Sequence, residues 1–367
     1  MLPFRWRSAG MFATALLVAP LSAFAVSPRP PATPLVAQSI HATAANSITN
    51  VATERKLRLQ WRGLFDNHAW ATLDAIANRL RSRRLRFQGG GWQLHVIYTI
   101  LSTTRSNTPT DAAWETQIAG LREWMRRDPS SPTPRIALAD AYENFAWKAR
   151  GNGLAHTVAP EGWNLFKERI QQAREVLEQE GKMGHDDPEW YDAMLTVASA
   201  QGWNRAQTDA LADEALKKEP EYFYPARLMA DYLLPKWYGQ PGDTEDFAEK
   251  IADRIGGTQG DATYFLVAEY ILIIERCDCR NSRAAMSWPR IRKGYAAVER
   301  LYGTNNFEHN ALAFLALRVA DDRTARQAFE EIGDNWDKDV WGSKAFFDDC
   351  RLHTLQSFGP TRMAVQK

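Results

Sequence analysis

The clustered soft ligands in this 367-residue chain are Cys277 and Cys279 in the run C-D-C, and Cys350 with His353 in C-R-L-H. Thiols one residue apart rarely bridge each other, so in an oxidising compartment the expected disulfide joins Cys277 or Cys279 to Cys350. Convergence of all four side chains would instead give three thiolates and one imidazole, the donors of a structural zinc site. The two clusters lie far apart and match no metal-binding spacing, so no metal and no cofactor is expected. Inert buried thiols are the third reading.

Glu269 sits inside the most apolar run, Tyr264 to Ile274, with Tyr264 and Tyr270 flanking it. A carboxylate there can have a raised pKa and act as a general acid; the plainer expectation is a solvent-facing or tyrosine-bonded group. Paired-carboxylate glycoside hydrolysis needs a second acid at a defined separation, and the sequence offers none at a recognisable spacing. The 14 tryptophans raise sugar stacking as a further chemistry. Trp70, Trp114, Trp124, Trp163 and Trp190, however, fall on apolar stripes or at helix starts and read as core anchors. Trp203 and the pair Trp237-Tyr238, beside glycines in turns, are the surface-binding candidates. Arg79, Arg81, Arg83, Arg84 and Arg86 crowd one helix end, where cations complement the carbonyl terminus. Arg81, Arg83 and Arg84 are the candidates for contact with an anionic surface. Phosphate loops, dinucleotide fingerprints, nucleophile elbows and H-E-x-x-H are absent from the sequence, and Gly89-Gly90-Gly91, with no following Lys, reads as a loop.

The elements that would position these residues are helices, and the joint from Trp124 to Gly151 shows their grammar. Arg126 and Arg127 close one helix, Pro129 stops it, and Thr133 with Pro134 is expected to start the next. The second joint, Ala215 to Gly239, repeats the layout with Lys217, Lys218, Pro220 and Pro225. Apolar residues at three- and four-residue steps predict helices over 58–65, 70–80, 111–128, 160–179, 204–219, 222–234, 288–302, 307–320 and 343–356. Trp92 to Leu101 suits strand propensity and a helical face equally; with no partner strand evident, a helix is expected. Asp66 or Asn67, Asp187, Asp243, Asp261, and Asp321 or Asp322 are the expected caps for further helices, and Gly202, Gly256-Gly257 and Gly333 the expected stops. The count is about seven helix pairs, spaced at roughly 35 to 50 residues, as in helical-repeat arrays.

Arg5 and Arg7, the apolar stretch Met11 to Leu21 and Ala23-Phe24-Ala25 have the three-part form of a secretory signal, so residues 1–25 are expected to be removed. No cysteine follows that site, and no later run reaches the ~20 apolar residues that span a bilayer. The chain has 45 basic and 44 acidic side chains; removing Arg5 and Arg7 leaves 43 against 44, a net of −1 with no general attraction for nucleic acid. Residues 26–52, rich in Pro, Ser, Thr and Ala, read as a flexible linker, and 53–360 as the helical-repeat domain, with a sub-boundary near 235–245.

Three blocks carry a family likeness: D-P…P-R-I-A-L-A-x-A-Y…A-W-x-A-R-G at Asp128 to Gly151, L-P-K-W-Y-G-Q-P-G-D at Leu234 to Asp243, and N-A-L-A…D-x-x-x-A-x-x-x-F-x-x-I-G at Asn310 to Gly333. In these the chain resembles the bacterial domain-of-unknown-function family four-zero-three-four. The resemblance implies an exported protein of tetratricopeptide-like helices with no established activity, and it carries over no catalytic residues. The expectation is therefore an all-α, tetratricopeptide-like superhelix of about seven hairpins. It is expected to be periplasmic or secreted and to dock a protein partner on its concave side without catalysis. A glycan-binding or glycan-cleaving envelope enzyme, with Glu269 as its acid, is the competing expectation.

Overall fold

The computed structural model describes residues 49–356, apart from 107, 152, 154, 180 and 275–285. The expected signal, most of the linker, and Cys277 and Cys279 lie outside the described residues. Within them the chain forms sixteen α-helices and two 3-10 turns, Ala155–Thr157 and Gly181–Asp186. No β-strand occurs among the described residues; two isolated bridges join Thr49 to Phe87 and Arg86 to Trp92.

Helix α1 (Val51–Asp66) starts two residues before the expected domain edge, because Asn50 Oδ1 accepts the Thr53 N–H at 3.0 Å. Before α2 (Trp70–Arg83) the chain turns through His68 at φ 56, which leaves Ala69 at the cap position instead of Asp66 or Asn67. The ambiguous apolar segment is helical, as α3 (Gln93–Leu101). In the Trp124–Gly151 joint, α4 (Asp111–Arg127) ends as expected, but α5 (Pro132–Arg150) begins on Ser131 and Pro132, two residues before Thr133 and Pro134. The reason is tertiary: the Ser131 hydroxyl accepts the Thr133 N–H at 3.2 Å while donating to the buried Asp74 carboxylate of α2.

Helix α6 (Pro160–Gln179) and α7 (Pro188–Gln201) match expectation. Asp187 Oδ1 caps α7 through the Glu189 N–H at 3.0 Å, and Gly202 at φ 69 stops it. The second joint gives α8 (Arg205–Lys218) and α9 (Tyr224–Tyr232). In α10 (Asp243–Ile255) Asp243 is the first helical residue and Gly242 the cap. Gly256 and Gly257, at φ 71 and 54, make the next reversal, as expected of that pair, but α11 (Gly257–Ile274) starts four residues ahead of the expected cap Asp261. The rest is α12 (Trp288–Tyr302), α13 (Asn306–Arg318), α14 (Asp322–Ile332), the short and unforeseen α15 (Lys338–Trp341), and α16 (Lys344–Gln356).

Helices pack on their chain neighbours, most closely α5 on α6, α11 on α12 and α13 on α14. They also pack on the helix after next: α3 on α5, α5 on α7, α7 on α9, α9 on α11 and α11 on α13. The second relation puts α5, α7, α9, α11 and α13 inside, buried on nearly every side, while α6, α10, α12 and α14 bury one stripe and expose the other. One apolar cluster runs from Trp61 to Leu315, crossing residues 235–245, and a second gathers Phe329, Trp341 and Phe347 near the end. Residues 85–92 lie across this inner layer. The Gly89 N–H donates to Gly303 O at 2.9 Å, the Asn305 amide to Gln88 O at 3.0 Å, and the Trp92 N–H to the Tyr224 hydroxyl at 3.1 Å.

Candidate functional site

The basic cluster at the end of α2 divides on folding. Arg81 reaches across to α7, its Nε and Nη2 donating to Asp187 Oδ2 at 2.8 and 2.5 Å, while the Tyr98 hydroxyl donates to the same oxygen at 2.5 Å. Arg86 is buried, stacked 3.5 Å from the Trp92 ring centre and 3.1 Å from Glu221. Arg84 is half-exposed and pairs with Glu219 at 2.7 Å; Arg79 and Arg83 are exposed on α2. Arg81 is thus a structural tie between α2 and α7.

Trp203 and Tyr238 both lie at the end of α7. Tyr238, 44 % exposed, stacks on Tyr232 with ring centres 4.5 Å apart and donates to Ser199 O at 3.2 Å. The Tyr232 hydroxyl donates to Trp203 O, and the Arg174 guanidinium lies 5.1 Å from the Trp203 ring centre. Trp237 is partly buried against the core. Trp70, Trp114, Trp124 and Trp190 are buried and Trp163 is partly so, as core anchors should be. Cys350 is half-buried on α16, and His353 lies 3.3 Å from Asp349 on the same helix; their joining to Cys277 or Cys279 falls outside the described residues.

Glu269 is 2 % exposed, and the group that holds it is Arg227 of α9, whose Nη2 donates to Oε1 at 2.6 Å and whose Nε donates to Leu266 O at 2.8 Å. The flanking Tyr264 hydroxyl instead accepts the Ser287 N–H at 2.9 Å. A second carboxylate does approach Glu269 in space: Glu308, buried at the start of α13, where Oε2 accepts the Asn305 N–H at 2.8 Å. Burial pushes the Glu269 carboxyl up to about 7 against the pull of Arg227. Burial, and after it the Glu269 field, raises Glu308 well above the usual carboxylate range.

Where α3 meets α7, His95 Nδ1 lies 2.9 Å from Glu189 Oε2, and the Tyr222 hydroxyl donates to that oxygen. The imidazole stacks on Tyr224, ring centres 3.7 Å apart at 18°. Asp192 stands one turn beyond Glu189 on the same face of α7, and one donor atom from each of His95, Glu189 and Asp192 lies within 4.8 Å of the others. Burial and the negative field of Glu189 push the Tyr222 hydroxyl far up, so it remains a donor.

On the outside, α4, α5 and α6 enclose a groove of about 490 Å³. Tyr142 and Phe145 form its buried floor, and Arg122, Arg126 and Arg169 share the lining with the carboxylates Glu115 and Glu168. The Arg169 guanidinium lies 3.3 Å from the Phe145 ring centre, donates to Phe145 O at 2.8 Å, and is held below its usual pKa by burial. Arg122 donates to the Tyr142 hydroxyl.

Compared with known proteins, the chain matches no family model, no curated protein and no solved structure.

Sequence reasoning passed over His95 and Glu189. One is among seven scattered histidines, and the other reads as an acid complementing a helix start. The available signal was polarity in the wrong place, a histidine inside W-Q-L-H-V-I-Y and acids three apart in the apolar run E-W-Y-D-A-M-L. The groove arginines gave no signal, since on a solvated stripe they read as ordinary surface.

Proposed function

We propose that this chain is an exported scaffold of the cell envelope, a tetratricopeptide-like stack of about seven helical hairpins that docks an acidic segment of a protein partner in the α4–α5–α6 groove. The observation that carries the reading is the groove's lining. Three guanidiniums, one of them partly desolvated over Phe145, surround an aromatic floor. A partner carboxylate flanked by an apolar side chain would complement the field and fill the floor at once, and steering by such charge acts mainly on association rate. Packing of each inner helix on the next but one supports the stacked-hairpin reading, as do the repeated joints. The signal-like residues 1–25 and the family resemblance support export. Glu269 is a poor general acid here, since its carboxyl lies in the core against Arg227 and a glycosidic oxygen would have to enter that core to be protonated.

Site-specific photocrosslinking tests the proposal. A photoreactive residue at Gln172 is expected to capture a protein with an acidic segment in the native envelope, and Arg126→Glu is expected to abolish that capture while leaving the helical spectrum intact. Capture that is indifferent to Arg126→Glu, or none, would overturn it. Retention on cell-wall glycan that disappears with Tyr238→Ala would favour the glycan-binding reading instead.

A further inference from the structure

We propose that His95, Glu189 and Asp192 form a binding site for one divalent transition ion, of the zinc or manganese class, at the junction of α3 and α7. The donor set is one imidazole and two carboxylates, a combination suited to such ions and ill-suited to soft monovalent ones. Its geometry is already close. At bond lengths of ~2.1 Å, tetrahedral donors stand roughly 3.4 Å apart, and the three donor atoms here lie within 4.8 Å of one another, with His95 and Glu189 at 2.9 Å. An ion would open the His95–Glu189 pair by about 0.5 Å and close the wider separations by at most about 1.4 Å.

A further observation points the same way. The ligands are held from behind, Glu189 by the Tyr222 hydroxyl and His95 by the face of Tyr224, as outer-shell groups orient metal ligands.

The experiment uses the full mature chain, stripped with a chelator and titrated with zinc chloride, then with manganese chloride, by calorimetry and native mass spectrometry. One ion per chain is expected, with a raised unfolding temperature, because a ligand that binds only the folded state stabilises it. Asp192→Asn and Glu189→Gln are each expected to weaken binding by about tenfold or more while the helical spectrum is unchanged. Should either variant fail to fold, the stoichiometry of the unmodified chain still decides, together with His95→Gln. Absence of a stoichiometric ion from the unmodified chain would overturn the proposal. So would binding that survives Asp192→Asn and disappears in a Cys277→Ser, Cys279→Ser chain, since the ion would then belong to the thiols.

Discussion

The Glu269 carboxyl prefers its proton in the folded chain, because burial raises its pKa from the ordinary 4.5 to about 7 even with Arg227 alongside. Between those values the folded chain binds more protons than the unfolded one. Stability is therefore fullest below pH ~4.5 and falls as pH rises through 7. Glu308 shifts in the same direction and steepens the fall. In urea titrations from pH 5 to 8, Glu269→Gln is expected to remove a loss on the order of 3 kcal/mol, a shift of this size converted at 1.36 kcal/mol per pKa unit. A slope unchanged by that substitution would assign the pH dependence elsewhere. Arg227→Met is expected to cost about 3–5 kcal/mol at pH 8, since it leaves a buried carboxylate without its cation, and clearly less at pH 5, where Glu269 is already neutral. The residue itself was legible from its place in an apolar run. Its partners, 42 and 39 residues away along the chain (227 to 269, and 269 to 308), were not, because no local pattern records which inner helices become neighbours.

Among the elements, α7 shows why helix starts were read well and their further roles were not. D-P-E announces a cap, a first-turn proline and a first-turn acid, and all three take those positions. The second oxygen of the same cap holds Arg81 and Tyr98, which fastens α2 and α3 to α7. Asparagine caps about as well as aspartate. Any stability lost in Asp187→Asn therefore belongs to the tie and not to the cap. The expected loss is about 2–3 kcal/mol, discounted from the cost of a fully buried pair because Arg81 keeps 18 % exposure. Denaturant unfolding of Asp187→Asn beside Arg81→Met checks this, with the two losses expected not to add. Misread starts have the same origin. Ser131 displaces Thr133 because Asp74 holds its hydroxyl, and α11 begins early because Gly256 and Gly257, both at positive φ, turn the chain at once. Both decisions are made by backbone freedom or by contacts distant in sequence.

Across the whole molecule, the glycine run legible only as a loop is one of the links between the first three helices and the later ones, beside the packing of α3 on α5 and the tie to Asp187. Residues 85–92 touch α9 through Trp92, and reach the turn between α12 and α13 through Gln88 and Gly89. Gly89 is fixed twice over: it stands at φ 83, where side chains are strained, and a Cβ there would overlap the buried Glu308 carboxylate. Gly91 lacks both constraints, since a Cβ at that position would lie 3.8 Å from the Tyr224 hydroxyl, in ordinary contact. Gly91→Ala is accordingly expected to change stability by less than about 1 kcal/mol. Gly89→Ala is expected to cost more than about 3 kcal/mol, through backbone strain and displacement of a buried acid. Because the loop links helices far apart in sequence, the damage should extend to cooperativity. Unfolding monitored by amide exchange is expected to be a single transition in the unmodified chain, and in Gly89→Ala the amides of α1–α3 should exchange ahead of those of α11–α13. Simultaneous exchange in Gly89→Ala would mean that the shared apolar cluster from Trp61 to Leu315 couples the two regions without help from the loop.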